Sequence, residues 1–304
     1  MTAPAPASSS GTPSGLAPAV GAYLIWGFLP LYLLLVQSVP AFEFVGWRII
    51  WTLPLCLAIV AFRRQFGELL GALRSSRTML ALLASSVLIA VNWFVYIWAI
   101  MAGEVYATSI GYYLNPLINV LLGTLFLGEK LSRRQWVAVA IAAVAVALLA
   151  AGALTSLWIS LSLGFSFSLY GLVRKQVSVG SLPGLTIESA ILLPVAGAIA
   201  WWYAMGPQGS SFGQDWWMSG LIIFSGVVTA VPLLLFALAA RRMDYSTLGF
   251  IQYLSPTIVF FLGLFVFNQP LAPAKLVSFV LIWIAVGVFV WDLLARRRGA
   301  AASA

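Results

Sequence analysis

The sequence predicts an all-α membrane protein of ten transmembrane helices arranged as two inverted five-helix repeats, and three observations carry that expectation. The first is composition: of 304 residues, 62% are hydrophobic and only 8% charged, where a soluble domain carries about 25% charged residues. Most of the chain therefore belongs in lipid. The second is a row of apolar runs, each close to the ~20 residues that cross a hydrocarbon core of about 30 Å. The third is an internal repeat. Shifting Ser85–Leu131 by 140 residues without a gap places Tyr113-Leu114-Asn115-Pro116 on Tyr253-Leu254-Ser255-Pro256 and Leu122-Gly123 on Leu262-Gly263. Twelve of those 47 positions are identical, and in so narrow an apolar alphabet the matched Pro and Gly carry the weight.

Residues 1–15, made mostly of Ala, Pro, Ser, Thr and Gly, read as a disordered tail. They lack the basic region of a signal peptide, so the first apolar run is expected to stay as a membrane helix. The ten runs span 16–36, 41–62, 78–101, 105–127, 135–152, 156–173, 183–204, 216–240, 245–267 and 274–294. The gap from Arg63 to Arg77 has room for a short interfacial helix, and Gly206 to Asp215 is the other sizeable loop. The expected units are then a first repeat over 16–152, a second over 153–295 and a basic tail over 296–304.

Charge placement orients these spans. Arg63, Arg64, Arg74, Arg77, Lys130, Arg133, Arg134, Arg174, Lys175, Arg241, Arg242, Arg296, Arg297 and Arg298, fourteen of the sixteen basic residues, fall in alternate gaps or the tail. That asymmetry predicts a plasma-membrane protein with both termini cytoplasmic. It also accounts for the net charge of +8 without nucleic acid, which would need a basic polar face. The lone Cys56 excludes an internal disulfide framework, and the absence of histidine removes the commonest metal ligand. No metal or cofactor is expected, and nothing in the sequence sets the oligomeric state.

A shift of 140 residues corresponds to five helices, an odd number, so the second repeat enters the membrane from the opposite side. Inverted repeats are a common plan of secondary transporters, with the substrate site near the midplane between the halves. The expected partners are the lipid bilayer, a small-molecule substrate and protons as candidate coupling ions.

Several strings add a family resemblance: Trp26-Gly27, Arg48, Asn92-Trp93, Gly111-Tyr112-Tyr113-Leu114-Asn115-Pro116, Leu127-Gly128-Glu129, Tyr170-Gly171-Leu172-Val173-Arg174-Lys175 and Gly249-Phe250-Ile251-Gln252-Tyr253. Together they resemble the RarD branch of the EamA-type drug/metabolite transporter superfamily, over nearly everything after the tail. The resemblance implies two five-helix EamA-type repeats and transport of a metabolite or drug. It implies no particular substrate. The second repeat has Asn268-Gln269 where the first has Gly128-Glu129, which departs from the acidic end of EamA repeats.

Polar groups inside lipid are costly and face the bundle interior. Asn92 and Tyr96 share a helical face, as do Asn115 and Asn119. With Tyr112 and Tyr113 they make an amide-and-aromatic lining, partly matched by Gln252, Tyr253 and Ser255. Trp26, Trp93 and Tyr170 supply apolar walls, suited to a small, partly aromatic or zwitterionic molecule. The plainer reading of each residue is interhelical glue or belt aromatic. Pro54, Pro116, Pro194 and Pro256 pair across the repeat and are hinge candidates, against simple tolerance of proline in membrane helices.

The same shift superposes Arg48 on Glu188, making the two the candidates for coupling or gating. The plainer reading has Arg48 snorkel to Glu43, Glu104 or headgroups; the functional one has Glu188 take up a proton as the cavity changes face. Two other classes stay open: a non-transporting scaffold or receptor, and an intramembrane enzyme. The enzyme lacks an evident nucleophile with its base. Nucleotide-driven transport is excluded within the chain by the absence of a phosphate-binding Gly-rich loop with Lys.

Overall fold

The computed structural model describes residues 15–102, 104–151, 154–268 and 273–302. Among these residues every regular element is helical: α1 (Leu16–Leu35), α2 (Ala41–Phe62), α3 (Phe66–Arg74), α4 (Ser76–Met101), α5 (Val105–Phe126), α6 (Arg133–Ala150), α7 (Leu157–Gln176), α8 (Ser181–Ala204), α9 (Trp216–Arg242), α10 (Tyr245–Gln252), α11 (Leu254–Phe265) and α12 (Pro273–Ala302), with a 3₁₀ turn at Leu154–Ser156. Nine stretches among the described residues are long and apolar enough to cross a membrane, α10 and α11 counting as one. α5 is not one of the nine; Tyr112, Tyr113, Asn115 and Asn119 dilute the apolar character of its 22 residues. The tail expected over 1–15 lies outside the described residues except for Gly15.

Local chemistry sets the helix ends. Ser132 opens α6 with a capping box, its Oγ accepting from Gln135 N while Gln135 Oε1 accepts from Ser132 N. Asp215 opens α9 by accepting from Met218 N. Pro273 takes the first position of α12, where its missing N–H removes no helical bond. α7 runs past its expected end at 173 to Gln176, which brings Arg174 inside the helix.

The run expected as one helix over 245–267 is two. Pro256 has no N–H for the carbonyl of Gln252, and the backbone tightens, with Tyr253 N donating to Phe250 O at 3.3 Å. Pro30, Pro54, Pro116, Pro194 and Pro232 by contrast lie within continuous helices.

The short helix α10 is clamped at its N-terminus from the far side of the sequence. Glu129, just past α5, accepts from Tyr245 N (2.5 Å), Ser246 N (2.9 Å) and Ser246 Oγ (2.7 Å), supplying a negative charge where the helix dipole favours one. Lys175 holds the turn before it, donating to Ala240 O at 2.9 Å and Met243 O at 2.6 Å. Further along, Gly249 lets α10 lie directly on α5: a Cβ there would sit 2.9 Å from both Asn119 Cβ and Pro116 O.

Helix neighbours follow a regular pattern. α2 packs on α8, α5 on α10, and α6 on α12 at the periphery. α4 packs on α7 while α9 packs on α1, and α5 packs on α7 while α10 and α11 pack on α1. The largest buried cluster draws on α1, α2, α4, α7, α8 and α9, so the centre of the protein lies among these helices.

Glu129→Gln is expected to weaken the clamp, since a hydrogen bond to a charged group contributes about 1.5–3 kcal/mol. Amide hydrogen exchange across Tyr245–Gln252 should accelerate relative to α9; unchanged protection there would show that the clamp does not hold α10.

Candidate functional site

At the centre, α2, α4, α7, α8 and α9 enclose a narrow cavity of about 20 Å³. Its walls are mainly apolar, from Ile49, Ile89, Trp93, Leu185, Leu192 and Leu233. Polar atoms enter from Thr52, Tyr170, Glu188, Ser189 and Thr229.

Glu188, on α8, is 2% exposed. Its Oε1 accepts from Ser85 Oγ of α4 at 2.5 Å and lies 3.7 Å from Arg174 Nη1 of α7. Arg174 is itself 0% exposed, and its Nη2 donates to Ser181 O at 2.9 Å. Gly184 makes room for this guanidinium, which would collide with any Cβ at that position. Glu188 Oε2 and Arg174 Nε and Nη1 have no hydrogen-bond partner. The pair is thus in charge contact but incompletely satisfied, and Tyr170 approaches the same carboxylate from the cavity wall.

Arg48 does not meet Glu188. Its Nε donates to Thr229 Oγ1 at 3.0 Å and its guanidinium sits 4.8 Å over the Trp93 ring, a cation–π geometry. Thr52 Oγ1 returns a bond to Arg48 O at 2.7 Å. Since Thr52, Trp93 and Thr229 all line the cavity, Arg48 and the Glu188–Arg174 pair attend the same space from different walls. Nor does Arg48 reach Glu43, whose carboxylate is taken by Ser210 Oγ, Ser211 N and Ser211 Oγ at 2.6–2.7 Å.

The remaining candidates divide by location. Trp26 joins Tyr23, Phe167 and Phe236 in an aromatic cluster that reaches Tyr170 through Phe167. Asn92 ties α4 to α7 through Leu163 O and Ser166 Oγ, both at 3.0 Å. Tyr96 and Tyr112 meet edge to face at 6.0 Å. Tyr113 packs on Phe279, and its carbonyl accepts from Tyr253 Oη at 3.4 Å. Gln252 meets Asn119, one turn from Asn115, at 3.2 Å, and Ser255 is half-buried at the start of α11. Asn115 is fully buried with both side-chain polar atoms unpartnered. Of the residues singled out in the sequence, Trp93, Tyr170 and Glu188 line the cavity itself.

The residue that the sequence reading misplaced is Arg174. Beside Lys175 at the end of an apolar run it looks like a loop charge that marks topology, yet it is buried against Glu188. The available signal was spacing: α8 begins so soon after α7 that a long side chain near the end of one helix reaches the first turns of the other. Gln269, the second-repeat counterpart of Glu129, lies outside the described residues.

With this geometry in place, comparison with known proteins gives a consistent answer. The family model of the EamA-like transporter family matches residues 13–151. Protein RarD of Salmonella typhimurium is 39% identical over 295 residues, covering 94% of this chain and 98% of that protein. The chain is a RarD-type member of the EamA drug/metabolite transporter family. A protein described as uncharacterized transporter YojE, from Bacillus subtilis, is 40% identical over 280 residues, with 91% and 93% of the two chains covered. A solved crystal structure shares the fold at a TM-score of 0.71 and 19% identity, over 93% of this chain and 98% of the other. This RarD-type chain is therefore a multi-pass membrane transporter.

Arg174→Leu should destabilise the protein by about 3–5 kcal/mol, because it leaves Glu188 buried without its counter-charge. Adding Glu188→Leu should recover much of that loss. Denaturation of the single and double variants in detergent checks it: strictly additive losses would mean the pair is not coupled.

Proposed function

We propose that this RarD-type protein is a secondary-active transporter that carries a small, partly aromatic or zwitterionic organic molecule by alternating access, with protons as the coupling ion. The observation that carries the proposal is the buried, incompletely hydrogen-bonded carboxylate of Glu188, on the wall of a narrow central cavity that Trp93 and Tyr170 also line, with Arg48 held over Trp93. A carboxylate in that position, held by Ser85 and by one arginine, has two arrangements available. Deprotonated, it pairs with Arg174; protonated, it releases the guanidinium, still anchored on Ser181 O, to an anionic group of the substrate. The cavity is too narrow to hold more than about one water molecule at its centre, as suits an occluded stage between the two open ones.

On this reading the halves are 16–152 and 153–295, inverted with respect to one another, and α5 is the tenth span. The neighbour pattern supports it. If α1, α2, α4, α5 and α6 correspond to α7, α8, α9, α10–α11 and α12, packings between these helices of the two halves come in matching pairs: α4 on α7 with α9 on α1, and α5 on α7 with α10–α11 on α1. Pseudo-twofold relation of this kind is what lets one sequence plan open to either side. The excess of arginine and lysine in alternate gaps supports a reading with both termini in the cytoplasm of a bacterial-type plasma membrane.

Two measurements test the proposal. In proteoliposomes given a panel of metabolites and drugs, Glu188→Gln should abolish flux driven by a pH gradient while leaving substrate exchange; full gradient-driven flux by that variant would remove the coupling role. For orientation, single cysteines at Ser210 and Ala300 are probed with an impermeant reagent from outside intact cells. Ser210→Cys should react and Ala300→Cys should not, and the reverse would invert the topology.

A further inference from the structure

α3 does not cross the membrane, and nothing in the transport cycle needs it as a wall. Its two apolar stripes are used differently. Leu69 and Ala72 are buried against the rest of the protein. Phe66, Leu70 and Leu73, spaced i, i+4, i+7 on a neighbouring stripe, are 46–52% exposed, and Phe62 one turn before them is 89% exposed. Such a face has no reason to meet bulk water, but it fits the boundary between headgroups and acyl chains.

Four arginines bracket this face. Arg63 and Arg64 precede α3, Arg74 is its last residue and Arg77 lies in the first turn of α4; all four are exposed. Among the described residues none of their guanidinium groups has an ion-pair or hydrogen-bond partner. Arg64 occupies a left-handed backbone conformation at φ 54°, a turn that closes α2 and starts α3 within three residues. The segment's one acid, Glu68, is directed to the protein instead, where its Oε1 accepts from Gly180 N at 2.6 Å, at the N-terminus of α8. The lipid-facing side is left wholly basic.

We infer that α3 and its flanking arginines form a binding site for an anionic phospholipid, the apolar stripe entering the acyl region while the guanidinium groups take the headgroup phosphate. Charge complementarity selects the occupant: an apolar stripe alone accepts any lipid, whereas four unpaired guanidinium groups around it favour a negative headgroup. Because Glu68 fastens α3 to the start of α8, the bound lipid also steadies the helix that carries Glu188. The inference stands apart from the transport reading, since its test is binding.

The purified full-length protein in uncharged detergent is titrated separately with phosphatidylglycerol, phosphatidylcholine and inorganic phosphate while its melting temperature is followed. Phosphatidylglycerol should raise the melting temperature, and the other two should have little effect. A basic residue near an anionic surface contributes about fivefold in affinity, so Arg63→Gln/Arg64→Gln and Arg74→Gln/Arg77→Gln should each require about 30-fold more phosphatidylglycerol for half the rise. The corresponding Arg→Lys pairs should keep the preference, which separates lost charge from damaged folding. An unchanged titration in both glutamine pairs would overturn the site, as would an equal rise with phosphatidylcholine, meaning unspecific lipid, or with phosphate alone, meaning a free-anion site.

Discussion

Lipid offers no partner to a charge, and the centre of this protein is built around that constraint. Arg174 and Glu188 are each almost completely buried, 3.7 Å apart, on consecutive helices. Neither is tolerable without the other. Their pairing fixes how α7 and α8 lie together, requires glycine at 184, and draws Ser85 of α4 into the same cluster. It also leaves the cluster short of hydrogen bonds. The pair therefore holds the two helices together while part of its hydrogen-bonding capacity stays unused.

Most of the other acidic residues serve as acceptors at helix ends. Glu43 gathers Ser210 and Ser211 onto α2, Glu104 accepts from Ser156 at 2.6 Å, Glu129 caps α10, and Asp292 accepts from Ser132 at 2.8 Å beside Arg134. Each of these contacts joins segments far apart in sequence. Arg134 also lies over Trp291, 4.7 Å from its ring, so the peripheral pair α6 and α12 is tied by charge at one end and by apolar packing along its length. Acids thus spend their charge on backbone N–H and hydroxyl groups within the protein, and most arginines and lysines spend theirs at the surface.

Equivalent sequences in the two halves do not give equivalent helices. Pro116 and Pro256 follow the same Tyr-Leu dipeptide, yet α5 stays continuous and the second-half segment divides at Tyr253. Proline removes one backbone bond in either case. What differs is the surroundings: α10 is held separately, by Glu129 at its start and by Gly249 against α5, so the break is supported from outside the helix.

Composition and spacing alone determined that the chain is helical and lipid-embedded, where its apolar runs lie, and which family it resembles. These properties are local: 20 apolar residues declare a span whatever surrounds them. Glu188, Trp93 and Tyr170 were also legible as candidates, since a charge or an aromatic within such a run stands out, and all three line the central cavity. The tertiary structure decided the partners. It turned Arg174 from a surface charge into the counter-ion of Glu188, gave Arg48 to Thr229 and Trp93, placed Glu129 on α10, and divided the expected ninth span. Pairing is a property of distance between helices, which depends on how every helix packs at once, and a hydrophobic run carries almost no record of which neighbour it will face.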